Sequence, residues 1–208
     1  MLYFSSSIII ISSILITALL LYISYKFFFK SIPKNYILIK DYQTFSRFVP
    51  SLKKSRQIAI DTEYYHENTY KGILCLIQLH ISRYKFSIIV DLIELMDKSK
   101  EEDRNKIYAE LKSIFENKKI EKIFHSCHND IKWIYDTINS EVINIFDTQL
   151  MDNYIENRLK HNKQNKNLNN LLKKYLNINF SDESKKKFQR SNWFKRPLSS
   201  GQIDICCK

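Results

Sequence analysis

Three stretches of strand-forming residues follow one another so closely that no helical crossover fits between them. Gln57 to Asp61, Leu74 to His80 and Phe86 to Asp91 are rich in Ile, Leu and Val. Strands spaced in this way pair antiparallel, since a parallel return consumes a dozen or more residues. Tyr36 to Ile39 adds a short strand before them. Between these lies an amphipathic helix from about Tyr42 to Leu52, with Asp41 as its N-cap. Helical spacing returns from about Glu101 to Asn117, where Ile107, Leu111, Ile114 and Phe115 share one face. Lys122 to His125 reads as one more strand. Asn129 to Asp136, Thr148 to Asn157 and Leu168 to Tyr175 then read as helices. The order implies an α/β domain, a mixed sheet covered by helices.

At 208 residues, with 44% hydrophobic and 13% aromatic side chains but only two glycines and three prolines, the chain can bury one core of ordinary size. The four cysteines, at 75, 127, 206 and 207, form no CxxC pair, so a reducing compartment is expected. His125, Cys127 and His128 have no distant second pair and match no common zinc spacing.

The first 30 residues form a separate element. No charged side chain occurs from Met1 to Tyr25, and Lys26, Lys30 and Lys34 follow. A bilayer crossing needs about 20 apolar residues. Positive charge after the apolar run, with no small-residue cleavage signature, fits an uncleaved anchor better than a secretory signal. The positive-inside rule then puts residues 31–208 on the cytosolic side of a membrane, the mitochondrial outer membrane or the endoplasmic reticulum.

Ten of the eleven net positive charges fall between Arg158 and Arg196. Concentrated cationic charge suits a polyanion, because counterion release favours binding. Lys185, Lys186, Lys187, Arg190, Lys195 and Arg196 are candidates for contacts to a nucleic-acid backbone.

Two acids close the first apolar strand, in Ile58-Ala59-Ile60-Asp61-Thr62-Glu63. Period-two alternation puts Asp61 and Glu63 on one face, where their oxygens can hold hard divalent cations. Asp130 stands where a later strand runs into a helix start. An Asp there also suits the helix dipole. Asp147 reads as a helix cap or loop anchor, Gln78 as structural, and Trp133 and Trp193 as packing residues.

These segments resemble the motifs of the ribonuclease D and Werner-type 3′-to-5′ exonuclease family. Ile58 to Glu63, continuing to Leu74–Leu79, is similar to the first motif and His125 to Asp130 to the second. Phe146-Asp147-Thr148 is similar to the segment after it, and Gln189 to Trp193 with Arg196-Pro197-Leu198-Ser199 to the approach to the third. The resemblance implies a ribonuclease H-like fold over residues 31–208. It also implies a two-metal mechanism, with Mg²⁺ or Mn²⁺ held by Asp61, Glu63 and Asp130, acting on DNA or RNA that has a 3′ end. The family's third motif carries a Tyr and, four residues later, a fourth Asp. Ile205 stands at the Tyr position, and Asp204 would lie on the wrong face of the helix, one residue being about 100°. The domain is therefore expected to be C-terminally truncated, with its metals held loosely. A catalytically inactive nucleic-acid-binding relative is the alternative.

Overall fold

The computed structural model describes residues 36–66, 71–81, 84, 86–158, 167–179, 188 and 190–206. The expected membrane anchor at residues 1–30 lies outside these, as do Lys185, Lys186 and Lys187. Among the described residues no helix is long and apolar enough to cross a membrane.

Strand β1 (Tyr36–Ile39) leads into α1 (Tyr42–Lys53), whose start is fixed as expected: the Asp41 carboxylate accepts the Thr44 amide at 2.7 Å. Strands β2 (Gln57–Tyr65), β3 (Ile73–His80) and β4 (Ser87–Asp91) form antiparallel pairs in succession. Helix α2 (Leu92–Lys98) follows β4 directly. It escaped the sequence reading because its seven residues are too few to display a period, and its signal was the capping acid Asp91, which accepts the Glu94 amide. After α3 (Glu101–Phe115) come β5 (Glu121–Phe124), α4 (His128–Ile138) and the three-residue β6 (Ile145–Asp147). Helices α5 (Thr148–Arg158), α6 (Leu168–Leu176) and α7 (Ser200–Ile205) complete the described elements.

The six strands lie in the order β1-β4-β3-β2-β5-β6. β1 runs parallel to β4, β5 to β2 and β6 to β5, so the sheet is mixed, as expected. Alternation divides its side chains between two faces. Ile58 and Ile60 of β2, Ile77 and Leu79 of β3, and Ile88 and Val90 of β4 meet Phe45, Val49 and Leu52 of α1, Ile107, Leu111, Ile114 and Phe115 of α3, and Ile134 of α4. Each such side chain contributes about 1.5–3 kcal/mol by leaving water.

The other face has a smaller cluster, in which Trp193, Leu198 and Cys206 cover Cys75, Leu76 and Ile89. Pairing shifts register between Glu63 and Tyr64, with Leu76 opposite Glu63 and Leu74 opposite Tyr64. Cys75 is thus the extra residue of a bulge on β3, and the alternation of β2 itself continues unbroken.

Candidate active site

Along β2, Ile58, Ile60 and Thr62 are buried while Asp61 is exposed and Glu63 half-buried, so the two acids share the lightly covered face. Gln78 lies opposite Asp61 in the register, and its Nε2 donates to Glu63 Oε1 at 3.3 Å. The role of Gln78 is to orient an acid, a finer task than the structural one its strand position suggested.

Asp130 arrives from the other side. Pairing of β2 with β5 ends at Ala59, and beyond that point Thr62 meets Asp130. The chain leaves β5 through a turn in which Ser126 takes a left-handed φ of 63°, then enters α4. Asp130 sits in the first turn of that helix, 8% exposed, and accepts a hydrogen bond from Thr62 Oγ1 at 2.5 Å. Burial raises its pKa, and the nearby Asp61 charge adds to that against the Thr62 hydrogen bond, so the carboxyl is pushed up to about 6.

The turn is held by Asp147. Its Oδ1 accepts the Ser126 amide at 3.1 Å and its Oδ2 the Cys127 amide at 2.8 Å, while Oδ1 also caps α5 through the amides of Gln149 and Leu150. Burial alone would raise the Asp147 pKa, but the amides of Cys127, Ser126 and Leu150 outweigh it and hold the carboxyl below its ordinary value. Thr148 Oγ1 donates to the Phe124 carbonyl and lies 2.9 Å from His125 Nδ1, which ties the two strand-to-helix junctions together. Asp147 is thus both of the things its sequence position suggested, a cap and a loop anchor.

On the opposite side of β2, the Tyr64 and Trp133 rings stack at 4.2 Å and 7°. The Tyr64 hydroxyl donates to the Lys71 carbonyl, and Gly72, at φ 71°, leaves the space the ring occupies, because a Cβ there would collide with it. Nothing in the residue pattern announced Thr62 or this clamp. Gly72, one of only two glycines, was the available signal.

The donor set suits a hard divalent cation, since all three acids offer oxygen. Among the described residues, however, no group of three or more His, Cys, Asp or Glu is arranged to hold a metal ion. Asp130 is instead bonded to Thr62.

The cationic candidates divide. Arg190 and Lys195 are exposed. Arg196, expected to follow a phosphate backbone, faces inward: Nη2 and Nε reach Asp91 Oδ1 at 2.5 and 3.0 Å, and Nη1 donates to the Trp193 carbonyl at 2.6 Å. Asp91 is fully buried, and a buried carboxylate must be paired, so the guanidinium is committed within the fold. In α7, capped by Ser199 and Gln202, Gln202 is buried and Asp204 is exposed, and Cys206, just past the helix, is buried.

A family model described as a 3′-5′ exonuclease matches residues 36–205. The exosome complex exonuclease RRP6 of Saccharomyces cerevisiae is 31% identical over 149 residues, which is 71% of this chain and 17% of the yeast protein. A ribonuclease D of Sphingobium indicum is 27% identical over 174 residues, covering 80% of this chain and 38% of that one. The chain therefore spans well under half the length of these relatives. Among solved structures, Trypanosoma brucei ribonuclease D in complex with RNA superposes with a TM-score of 0.69 at 17% identity, over 83% of this chain and 58% of the other, a likeness of fold.

Proposed function

Because this chain belongs to the 3′-5′ exonuclease family, we propose that it trims RNA from the 3′ end by metal-dependent hydrolysis of the phosphodiester bond. The observation that carries this reading is the approach of Asp130 to the Asp61–Glu63 strand end, bridged by Thr62. RNA is favoured over DNA because an exosome exonuclease and a ribonuclease D are among its relatives.

Asp61, Glu63 and Asp130 are the residues that would hold two divalent cations, Mg²⁺ or Mn²⁺. Bound there, the cations supply charge stabilisation for the attacking and leaving oxygens and lower the pKa of the attacking water. Each protein group has a task that its surroundings explain. Asp61, exposed on the sheet face, meets substrate directly, while Gln78 keeps Glu63 turned toward that face. Asp130 is poised to change charge near pH 6, so a cation beside it would be worth most where its ionisation is otherwise resisted. Asp147 holds the turn that delivers Asp130.

The tether belongs to the same proposal. An uncharged run from Met1 to Tyr25 followed by three lysines supports a single-pass anchor, with the catalytic domain facing the cytosol from the mitochondrial outer membrane or endoplasmic reticulum. Resistance of the membrane-bound chain to alkaline carbonate extraction, together with digestion by externally added protease, is the expected result. Release by carbonate would remove the anchor from the account.

The decisive assay follows a 5′-labelled RNA through time with the full chain in Mg²⁺ or Mn²⁺. Progressive shortening from the 3′ end, abolished by chelation and by Asp61→Ala, is expected. Salt-sensitive RNA binding without any shortening would leave an inactive binding relative in its place.

A further inference from the structure

Trp193, 1% exposed, is closed to a nucleobase, and Trp133 has one ring face covered by Tyr64. Phe194, by contrast, faces solvent at 43% exposure. Its position is fixed by the chain on both sides. Trp193 is sunk in the second core cluster, and Arg196 is locked to Asp91. Just before Trp193, Asn192 Oδ1 accepts the amides of both Phe194 and Lys195 at 3.0 Å, closing a turn that holds the Phe194 backbone at the surface.

The Phe194 ring lies on Tyr65, with centroids 5.8 Å apart and planes 27° from parallel. Tyr65 shares a sheet face with Asp61 and Glu63, since Thr62 and Tyr64 turn to the helix-covered side, toward Asp130 and Trp133, while Tyr65 packs on the second core cluster. Tyr65 lies two residue steps beyond Glu63 along the strand, about 7 Å. That places a two-ring aromatic platform about one nucleotide's reach from the acids. The neighbouring Lys195 is exposed, so a cation borders the platform.

We propose that Phe194, seated on Tyr65, is a stacking platform for a nucleobase of the single strand whose 3′ end lies at Asp61 and Glu63. The inference rests on the exonuclease reading and adds a subsite to it. Stacking reads the π-face common to every base, so the platform takes any base and adds affinity without sequence preference. Tyr65 backs the Phe194 ring and spares it the ordering cost of a free side chain, and Lys195 accompanies the phosphates.

The test uses the full chain with divalent cations chelated, and RNA oligonucleotides carrying 2-aminopurine at each of the last three positions in turn. Quenching at one position is expected on binding to the unaltered chain. Phe194→Ala should abolish that quenching and weaken binding about five- to a hundred-fold. Phe194→Trp should retain both, and Phe194→Leu, apolar but not planar, should behave as the Ala variant. An abasic nucleotide at the quenched position should weaken binding to the unaltered chain and not to Phe194→Ala, since the two changes remove one contact. Circular dichroism melts of each variant establish that the fold is kept. Equal quenching and affinity in Phe194→Ala would overturn the platform, as would an unaltered chain that shortens RNA while no position is quenched; both leave the exonuclease reading standing. A chain that neither binds nor shortens RNA removes both.

Discussion

The two faces of the sheet are built from the same strands and are stabilised in opposite ways. One is sealed by α1, α3 and α4 over a continuous aliphatic core. The other carries Asp61 and Glu63 in the open and is covered, among the described residues, by a few side chains of the 190–206 segment, docked through Trp193 and the Arg196–Asp91 ion pair. Stability and chemistry are thereby separated, and a substitution on one face should show mainly in one kind of measurement. The helix-covered face bears most of the hydrophobic contribution, so the face that carries the proposed catalytic acids need not be filled.

Asp61→Ala should produce the largest effect. RNA shortening should fall by on the order of a thousandfold or more, with the melting temperature nearly unchanged because the side chain is exposed. A large loss of stability instead would mean that the acid face is structural.

Asp91→Ala should cost about 3–5 kcal/mol by leaving the Arg196 guanidinium without its buried partner. The loss should appear first as proteolysis of the 190–206 segment and only afterwards as global unfolding in urea. Simultaneous loss would mean that the two faces are not independent.

Asp130 sharpens the comparison through pH. Its folded pKa, about 6, lies above the 3.8 of a free carboxyl, so the folded chain binds more protons between about pH 4 and 6. Stability contributed by the protonated form is therefore fully present below pH 4 and is lost as pH rises through 6. Asp130→Asn, which keeps an acceptor for Thr62, should accordingly raise stability at pH 7.5 by up to about 2–3 kcal/mol in the absence of metal, while activity is lost. The gain should vanish at pH 4. Urea titrations at the two pH values check this, and no difference between them would place Asp130 in water.

Smaller effects come from the Tyr64 clamp. Gly72→Ala should cost about 1–3 kcal/mol, since the residue has a positive φ and its new methyl would meet the Tyr64 ring. Tyr64→Phe keeps the stack on Trp133 and should cost no more than about 1 kcal/mol, the contribution of one hydrogen bond. Thermal melts rank the two, and the reverse order would mean that the hydroxyl, not the stack, sets the clamp.

Legibility in the sequence followed length and periodicity. The 15-residue helix α3 was visible because its apolar positions repeat at the helical period, and the run β2-β3-β4 because its apolar stretches follow one another too closely for a helical crossover. Helix α2 and the three-residue β6 were not, because each is shorter than the pattern needed to reveal it. Asp61 and Glu63 could be paired by alternation alone. Arg196 misled because its charge was visible while its partner, Asp91, is 105 residues away.

Local spacing and motif order were enough for five of the six strands, most helices, the common face of Asp61 and Glu63, and the likeness to an exonuclease family. Tertiary packing settled that Asp130 would meet Thr62, that Asp147 would hold its turn, that Arg196 would be withdrawn from solvent, and that Phe194 would stay exposed on Tyr65. Each of those outcomes depends on which side chain fills a given volume across the sheet, and burial with a partner far along the chain has no local signature.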